Sequence, residues 1–542
     1  MKKLFFLCIV FAAVLLCACA GTDTATALAD PSEVVFSVGN EEICLCENGN
    51  GEYALYLPAF AREDNVRLKT PAVIDGKAIN AGEKVALKGD FTLETTDGEI
   101  TVKYFRSENI PAVFIKTESG SLDAVNASED HSVSDSGRIR AVSALGETVC
   151  DAELKKIKGR GNSTWNDTPK KPYNIELAEK TDFLGLGKAK KFVFLANFYD
   201  PSLLRNRIAF ELARNAGGAS PSCAPADVYE NGRYIGSYLV CDKLGISKNA
   251  IDIEDLEEKT EKLLPEKPKN YERGGETKSA DAGTEKWYEL PKNPSDITGG
   301  YLLEVDYPER YPDEASGFVT ERGLPVVIKS PEFASKEQVE YIREYFCDFE
   351  DALFSDDGYN EKGRHYSDYA DVGTLVFRYL FEEFVLNIDG GIASFHIYKD
   401  TDEKGGKLNF SYVWDYDCAL GNYNKYADLT SPETLFVGES ERRNNGSMPN
   451  IFYAMLARPE IKERVREYYN NGFSAALESL AGKLADFKSE ISASAVADSD
   501  LYGTSELRRF YRTDAGDDFE SAFDVLRDFI TRRTVFFNEI FK

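Results

Sequence analysis

Between residues 33 and about 105 the chain alternates apolar and polar positions in short runs. "EVVFSVGN", "EYALYLPAF", "EKVALKGDFTLET" and "EITVKYFR" are separated by Gly, Asn and Asp. Period-two alternation marks half-buried strands, and the spacing predicts a small β-sandwich-like accessory domain over 33–108. From about 110 the strands lengthen. "IPAVFIKTES" and "RIRAVSAL" predict a pair, and "ELKKIKGRGNSTWNDTPKKPYNIELAEK" predicts two strands joined by a polar turn. "KKFVFLANF" is a further strand, and "LLRNRIAFELARNAG" then places Leu203, Leu204, Ile208, Leu212 and Ala213 at helical spacing before Gly217-Gly218. A hairpin follows with its turn at Asn231-Gly232.

Residues 255–297 are charged and poor in apolar side chains, which predicts a mobile surface insertion. "GGYLLEVDY" resumes a strand. "SKEQVEYIREYFCDFEDALFS" and "YADVGTLVFRYLFEEFVLNID" predict amphipathic helices, "SFHIYKD" and "LNFSYVWDYD" a strand pair, and the pattern from 448 is helical. The fold class expected is α+β, with the principal domain over 109–542.

The first residues, "MKKLFFLCIVFAAVLLCACAGTD", join a basic start to an apolar run too short and too early for an ordinary membrane span. Residues 1–19 therefore read as a signal peptide. Leu16-Cys17-Ala18-Cys19 resembles a bacterial lipobox, with Cys19 as the lipidated residue and 20–32 as a tether to an exported, membrane-anchored surface protein. The alternative is an ordinary signal peptide cleaved near Ala20 or Gly21.

The formal net charge of -28 argues against nucleic acid as a partner. Beyond the leader, Cys44, Cys46, Cys150, Cys223, Cys241, Cys347 and Cys418 form no CxxC pair, so a disulfide framework or zinc ribbon is not expected. The three His lie in no metal-binding pattern. The chemistry must then fall to carboxylates, Lys, Arg and Asn.

Four clusters suit that role. "KGRGNSTW" (158–165) is a turn able to present N–H groups to phosphate, although such turns also simply join strands. Lys170 and Lys171 enter the strand behind it. Glu211 lies on the apolar side of its helix, where an acid needs a cation. Asp389 ends a long helix, and Asp415 and Asp417 follow a strand pair, one residue apart on one face of an extended chain. Two carboxylates with separate tasks suit phosphoryl transfer, one orienting a hydroxyl and one holding Mg²⁺. The order of these parts is that of a protein-kinase fold, without its VAIK, HRD or DFG strings. A carboxylate-pair glycosidase is a remote third reading.

"IKGRGNSTW", "PKKPYNIEL", "LLRNRIAFELAR", "GGYLLEVD", "NIDGGIASFHIYKD" and "VWDYDCALGN" together resemble the CotH spore-coat kinase family over residues ~110 to ~430. The resemblance implies an atypical, two-lobed secretory-type kinase that uses ATP with Mg²⁺ or Mn²⁺ to phosphorylate Ser/Thr of surface or secreted proteins. It implies Asp389 as the catalytic Asp, Asp415 as metal ligand with Asp417 as a second, and Lys171, rather than Lys170, on the phosphates. Glu211 would pair with that lysine, and Arg160 and Asn162 would add phosphate contacts. His396, between the key aspartates, departs from the amide expected there. A catalytically weak or inactive surface scaffold is the alternative function.

Overall fold

The computed structural model describes residues 30–275, 284–443, 448–503, 516 and 518–542. Cys19, the signal peptide and residues 20–29 of the 20–32 tether lie outside the described residues.

Short strands between Val35 and Arg106 form a three-stranded and a six-stranded sheet. Burial alternates along Val35–Val38 and Phe91–Thr95, as the sequence pattern predicts. Phe36, Leu55, Leu68, Leu93 and Val102 fill their core, which runs on into Phe114, Tyr229 and Tyr234 of the next module. The N-terminal sheets are thus packed onto their neighbour through shared apolar side chains.

That neighbour is a closed seven-stranded barrel: β1 (Ala112–Thr117), β2 (Ser134–Val142), β3 (Thr148–Gly159), β4 (Tyr173–Asp182), β5 (Lys188–Leu195), β6 (Cys223–Glu230) and β7 (Arg233–Asp242). The order is β1-β2-β3-β4-β5-β7-β6, and a parallel β1–β6 pair closes it. Val113, Ile139, Leu154, Ile175, Phe194 and Val240 fill its interior. Trp165 packs so closely on Gly159 that a Cβ there would lie 2.4 Å from the indole, which accounts for the glycine opening the polar turn. The helix α1 (Arg205–Asn215) leaves β5 and returns the chain to β6.

The remainder builds on a six-stranded antiparallel sheet: β8 (Arg273–Gly275), β9 (Glu285–Tyr288), β10 (Tyr301–Val305), β11 (Gly317–Val319), β12 (Pro325–Ser330) and β13 (Phe395–Lys399), in the order β8-β9-β11-β12-β10-β13. The 255–297 stretch is therefore more than a surface insertion. It supplies α2 (Leu256–Leu263) and two strands, with Leu256, Thr260 and Lys286 buried. Its polarity misled because a few residues, Leu256 and Thr260 among them, carry its packing, and the Lys286 ammonium donates to the Tyr311 carbonyl.

Two helices run beside this sheet. α3 (Lys336–Phe354) starts from a Ser335/Gln338 capping box. α4 (Val372–Val385) is buried on nearly all sides, the condition of a core helix, and ends at left-handed Leu386. The tail continues as α5 (Pro459–Tyr468), α6 (Ser474–Tyr502) and α7 (Phe519–Phe541). α6 runs back to the barrel, where Tyr502 Oη donates to the Ile235 carbonyl (2.8 Å) and Ser494 to Asp227 (2.8 Å). The architecture is α+β, β-rich toward the N-terminus and helical toward the C-terminus.

Candidate functional site

Asp389 sits in the tight loop that leaves α4. Its N–H donates to Asn387 Oδ1 (3.2 Å), and its carbonyl accepts from the N–H groups of Ile392 and Ala393. The Arg443 guanidinium pins the same loop through the Ile388 carbonyl (2.7 Å) and that of Gly390. The carboxylate is held at an angle set by Tyr307, whose Oη donates to Oδ1 at 2.5 Å. Burial pushes its pKa up to about 6, with Asp415 adding to the rise and Tyr307, Arg310 and Arg443 opposing it.

The segment carrying Asp415 and Asp417 is not a strand. The expected pairing with "SFHIYKD" reduces to one bridge, Tyr398 to Asn409, and the backbone after Tyr412 forms no ladder. Side chains hold it instead. Arg378, on α4, donates to the Phe410 carbonyl (3.3 Å) and the Tyr412 carbonyl, and its Nε meets Glu382 Oε1 at 2.7 Å. Tyr416 Oη donates to the same Glu382 oxygen (2.7 Å), while its N–H donates to Asn206 Oδ1 of α1 (2.7 Å). Arg205 Nε reaches the Ala419 carbonyl (3.1 Å), and Asn422 bridges the carbonyls of Tyr199 (2.9 Å) and Asp417 (2.8 Å). The barrel's helix and the core helix thus grip one irregular segment between them.

Within it Asp415 adopts φ 73°, a left-handed conformation that costs a non-glycine residue on the order of 1 kcal/mol. The extended backbone that the same-face expectation assumes is therefore interrupted at Asp415. Trp414 and Tyr416 are buried on either side, and Asp415 is turned out to solvent between them. Asp417 is half-buried, and burial followed by the Asp415 charge pushes its pKa up to about 7. Leu386, Ser394 and Leu420 also have positive φ, so backbone strain gathers around the three acids.

Arg160, just beyond β3, stacks on Trp414 (5.4 Å to the ring centre). Burial disfavours its charge, and Asp415, Asp417 and Glu304 help to hold it. The arginine expected to reach a phosphate is therefore placed beside both aspartates of the segment. Asn162 heads the short helix Ser163–Asn166 at the exposed turn, its amide making no capping bond.

The expected Lys171–Glu211 ion pair is absent. The Lys171 ammonium rests on the Trp165 carbonyl. Glu211 instead binds Lys483 of α6, Arg214 (3.0 Å) and Asn215 (3.1 Å). Glu211 does need a cation, but its helix turns it toward the tail, which supplies one 272 positions away. Lys170 is the lysine that enters the interior, where it meets Asp498 of α6 (2.5 Å) and the Ser237 carbonyl (2.5 Å), both charged side chains fully buried.

Glu304, Asp306 and Arg310 bring charge, and Tyr307 a phenol, to the same region, and residue type alone does not single them out. Arg310 pairs with Asp306 at 3.2 Å, and burial pushes Asp306 up to about 6. A signal was present: Glu304 and Asp306 repeat, after an apolar run, the acid-x-acid spacing of 415 and 417. His396 is buried, its Nδ1 bonded to the Ser394 carbonyl (3.0 Å), and burial depresses its pKa to about 3. It is a neutral core side chain at physiological pH. A pocket of about 350 Å³ lined by Phe60, Arg62, Arg140 and Leu145 shares no residue with these acids.

Among the described residues no three His, Cys, Asp or Glu side chains are close enough to hold a metal by themselves. A pair of carboxylates still fits Mg²⁺, which takes one or two protein carboxylates and completes its shell with phosphate oxygens and water.

A search of curated proteins finds no match to this chain. The family model described as CotH kinase protein matches residues 157–537. That stretch begins in β3, takes in Arg160, Asp389, Asp415 and Asp417, and runs into the last helix. On that match the chain belongs to the CotH kinase protein family.

Proposed function

We propose that this chain is an extracytoplasmic atypical protein kinase that transfers the γ-phosphoryl group of ATP to Ser/Thr hydroxyls of surface or secreted proteins. The observation that carries the reading is the convergence of Asp389, Asp415, Asp417 and Arg160 on one irregular segment. The Asp415 charge raises the pKa of both Asp389 and Asp417, and Asp415 and Asp417 help to hold the charge of the buried arginine. Such mutual repulsion is tolerated where the groups serve a ligand. Asp415, with Asp417, would hold Mg²⁺ (or Mn²⁺), which supplies neutralisation of phosphate charge. Arg160 would bind phosphate oxygens from the barrel side. Asp389 would accept the proton of the attacking hydroxyl on its carboxylate, with Tyr307 fixing the orientation. Anchoring through Cys19 would keep the domain at the outer face of the membrane.

Titration of the mature domain with ATP, with and without Mg²⁺, tests this. Asp415→Ala should abolish Mg²⁺-dependent binding, while Asp389→Ala should bind nucleotide and lose transfer. Full transfer in both variants would overturn the assignment. A second reading, a kinase-like scaffold without activity, draws support from the missing Lys171–Glu211 pair. It predicts no ATP binding under either condition.

A further inference from the structure

Cys223 opens β6 and Cys241 lies one residue from the end of β7, and the two face each other directly in the antiparallel register. The adjoining pair, Ser222 and Asp242, carries a backbone hydrogen bond from the Asp242 N–H to the Ser222 carbonyl (3.2 Å). Antiparallel ladders alternate, so Cys223 and Cys241 occupy a non-hydrogen-bonded pair, where opposed Cα atoms approach to about 4.5 Å and side chains are closest. That separation lies inside the range a disulfide spans. The Cys241 thiol donates to the Leu239 carbonyl at 3.8 Å. Both point away from the barrel interior, toward the apolar cluster that contains α1 and Tyr412. Cys223 is half-buried, whereas Cys241 is fully buried. The neighbouring Cys241 thiol, helped by Arg214 and Arg207, holds the Cys223 thiol below its ordinary range. No other described cysteine faces a second cysteine across a strand register: Cys44 faces Val35, Cys46 faces Ala54 and Cys150 faces Ala141.

We propose that Cys223 and Cys241 are a reversible dithiol–disulfide site, oxidised by low-molecular-weight disulfides. Cys223 thiolate attacks one sulfur of the small disulfide and expels one thiol. Cys241, losing its proton, then attacks the Cys223 sulfur of the mixed disulfide and expels the second. The two protein thiols are oxidised to one S–S bond, and the small disulfide is reduced to two thiols. The bond would brace the start of β6, which follows Ala219. Ala219 accepts from the Val413 N–H (2.8 Å) and donates to the Ser411 carbonyl (2.9 Å). Oxidation would therefore tie the backbone leading to Asp415 more firmly to β7, whatever reaction the acids serve.

The test equilibrates the reduced full-length chain with graded ratios of oxidised to reduced glutathione, followed by acid quenching and non-reducing peptide mapping. The expected result is a mass loss of about 2 Da, two hydrogens per disulfide, in one cross-linked peptide joining 223 to 241. A rise in Tm should accompany it, reversed by dithiothreitol and absent in Cys223→Ser. Thiols that remain unreacted, or a glutathione adduct persisting on Cys223 without the cross-link, would overturn the proposal. The wild-type map decides the question even if the variant folds poorly.

Discussion

Lys170 and Asp498 are both fully buried, out of reach of bulk solvent. Nζ lies 2.5 Å from Asp498 Oδ1 and 4.9 Å from the centre of the Tyr238 ring, and the same Asp498 oxygen accepts from the Ser237 N–H (2.9 Å). Removing one member of such a pair leaves a buried charge uncompensated, at a cost of about 3–5 kcal/mol. Replacing both with apolar groups of similar volume is often close to neutral, because both desolvation penalties vanish together. Lys170→Met and Asp498→Leu should each lower stability by about 3–5 kcal/mol, a change of on the order of a hundredfold or more in the folded-to-unfolded ratio. The double variant should recover most of that loss, leaving a large coupling energy in the double-mutant cycle. Urea unfolding followed by tyrosine and tryptophan fluorescence measures all four proteins. Single variants that lose under about 1 kcal/mol, or a double variant that loses the sum of both, would refute the reasoning that this pair ties α6 to the barrel.

Other outcomes follow from the acids. Asp417, with its pKa raised to about 7, must give up a proton to bind a cation, so Mg²⁺ affinity should fall about tenfold per unit below that pH; calorimetry in buffers of different ionisation enthalpy should detect the released proton. Because the folded state retains that proton above the ordinary carboxylate value of 3.8, this contribution to metal-free stability is greatest at low pH and is lost as pH rises through about 7. Asp417→Asn should flatten that part of a Tm-against-pH curve. Tyr307→Phe removes a bond that favours the Asp389 carboxylate, so the acidic limb of phosphoryl transfer, expected near pH 6, should move up by roughly one unit. Asp415→Gly relieves a φ of 73° and should be about 0.5–1 kcal/mol more stable to urea than Asp415→Ala, with Mg²⁺-dependent nucleotide binding lost in both.

Local pattern carried most of the secondary structure. Alternation marked the N-terminal sheets, Asn231-Gly232 marked the hairpin that the barrel contains, and the 3.6 period marked α1, α3 and α4. The acids could be named because residue type and order resemble a known family, and the family match spans Asp389, Asp415 and Asp417. Pattern failed where a residue's role depended on a partner distant in the chain. Glu211 was seen to need a cation, but Lys483 could not be chosen over Lys171 from spacing.

The sequence by itself determined most of the segments that become strands and helices, since side-chain periodicity and turn chemistry act over a few residues. It also placed Asp389 just beyond the end of such an element. Only the tertiary structure decided that the barrel closes, that Lys170 rather than Lys171 is buried, and that Asp415 takes a left-handed φ of 73°. The reason is physical. Buried charges must find partners and buried carbonyls must find donors, and Asp498, Asn206, Arg205 and Arg378 satisfy those demands from across the fold. The hold of Asn206, Arg205 and Arg378 on residues 410–422 overrides the local preference for an extended strand, and Asp415 stands exposed.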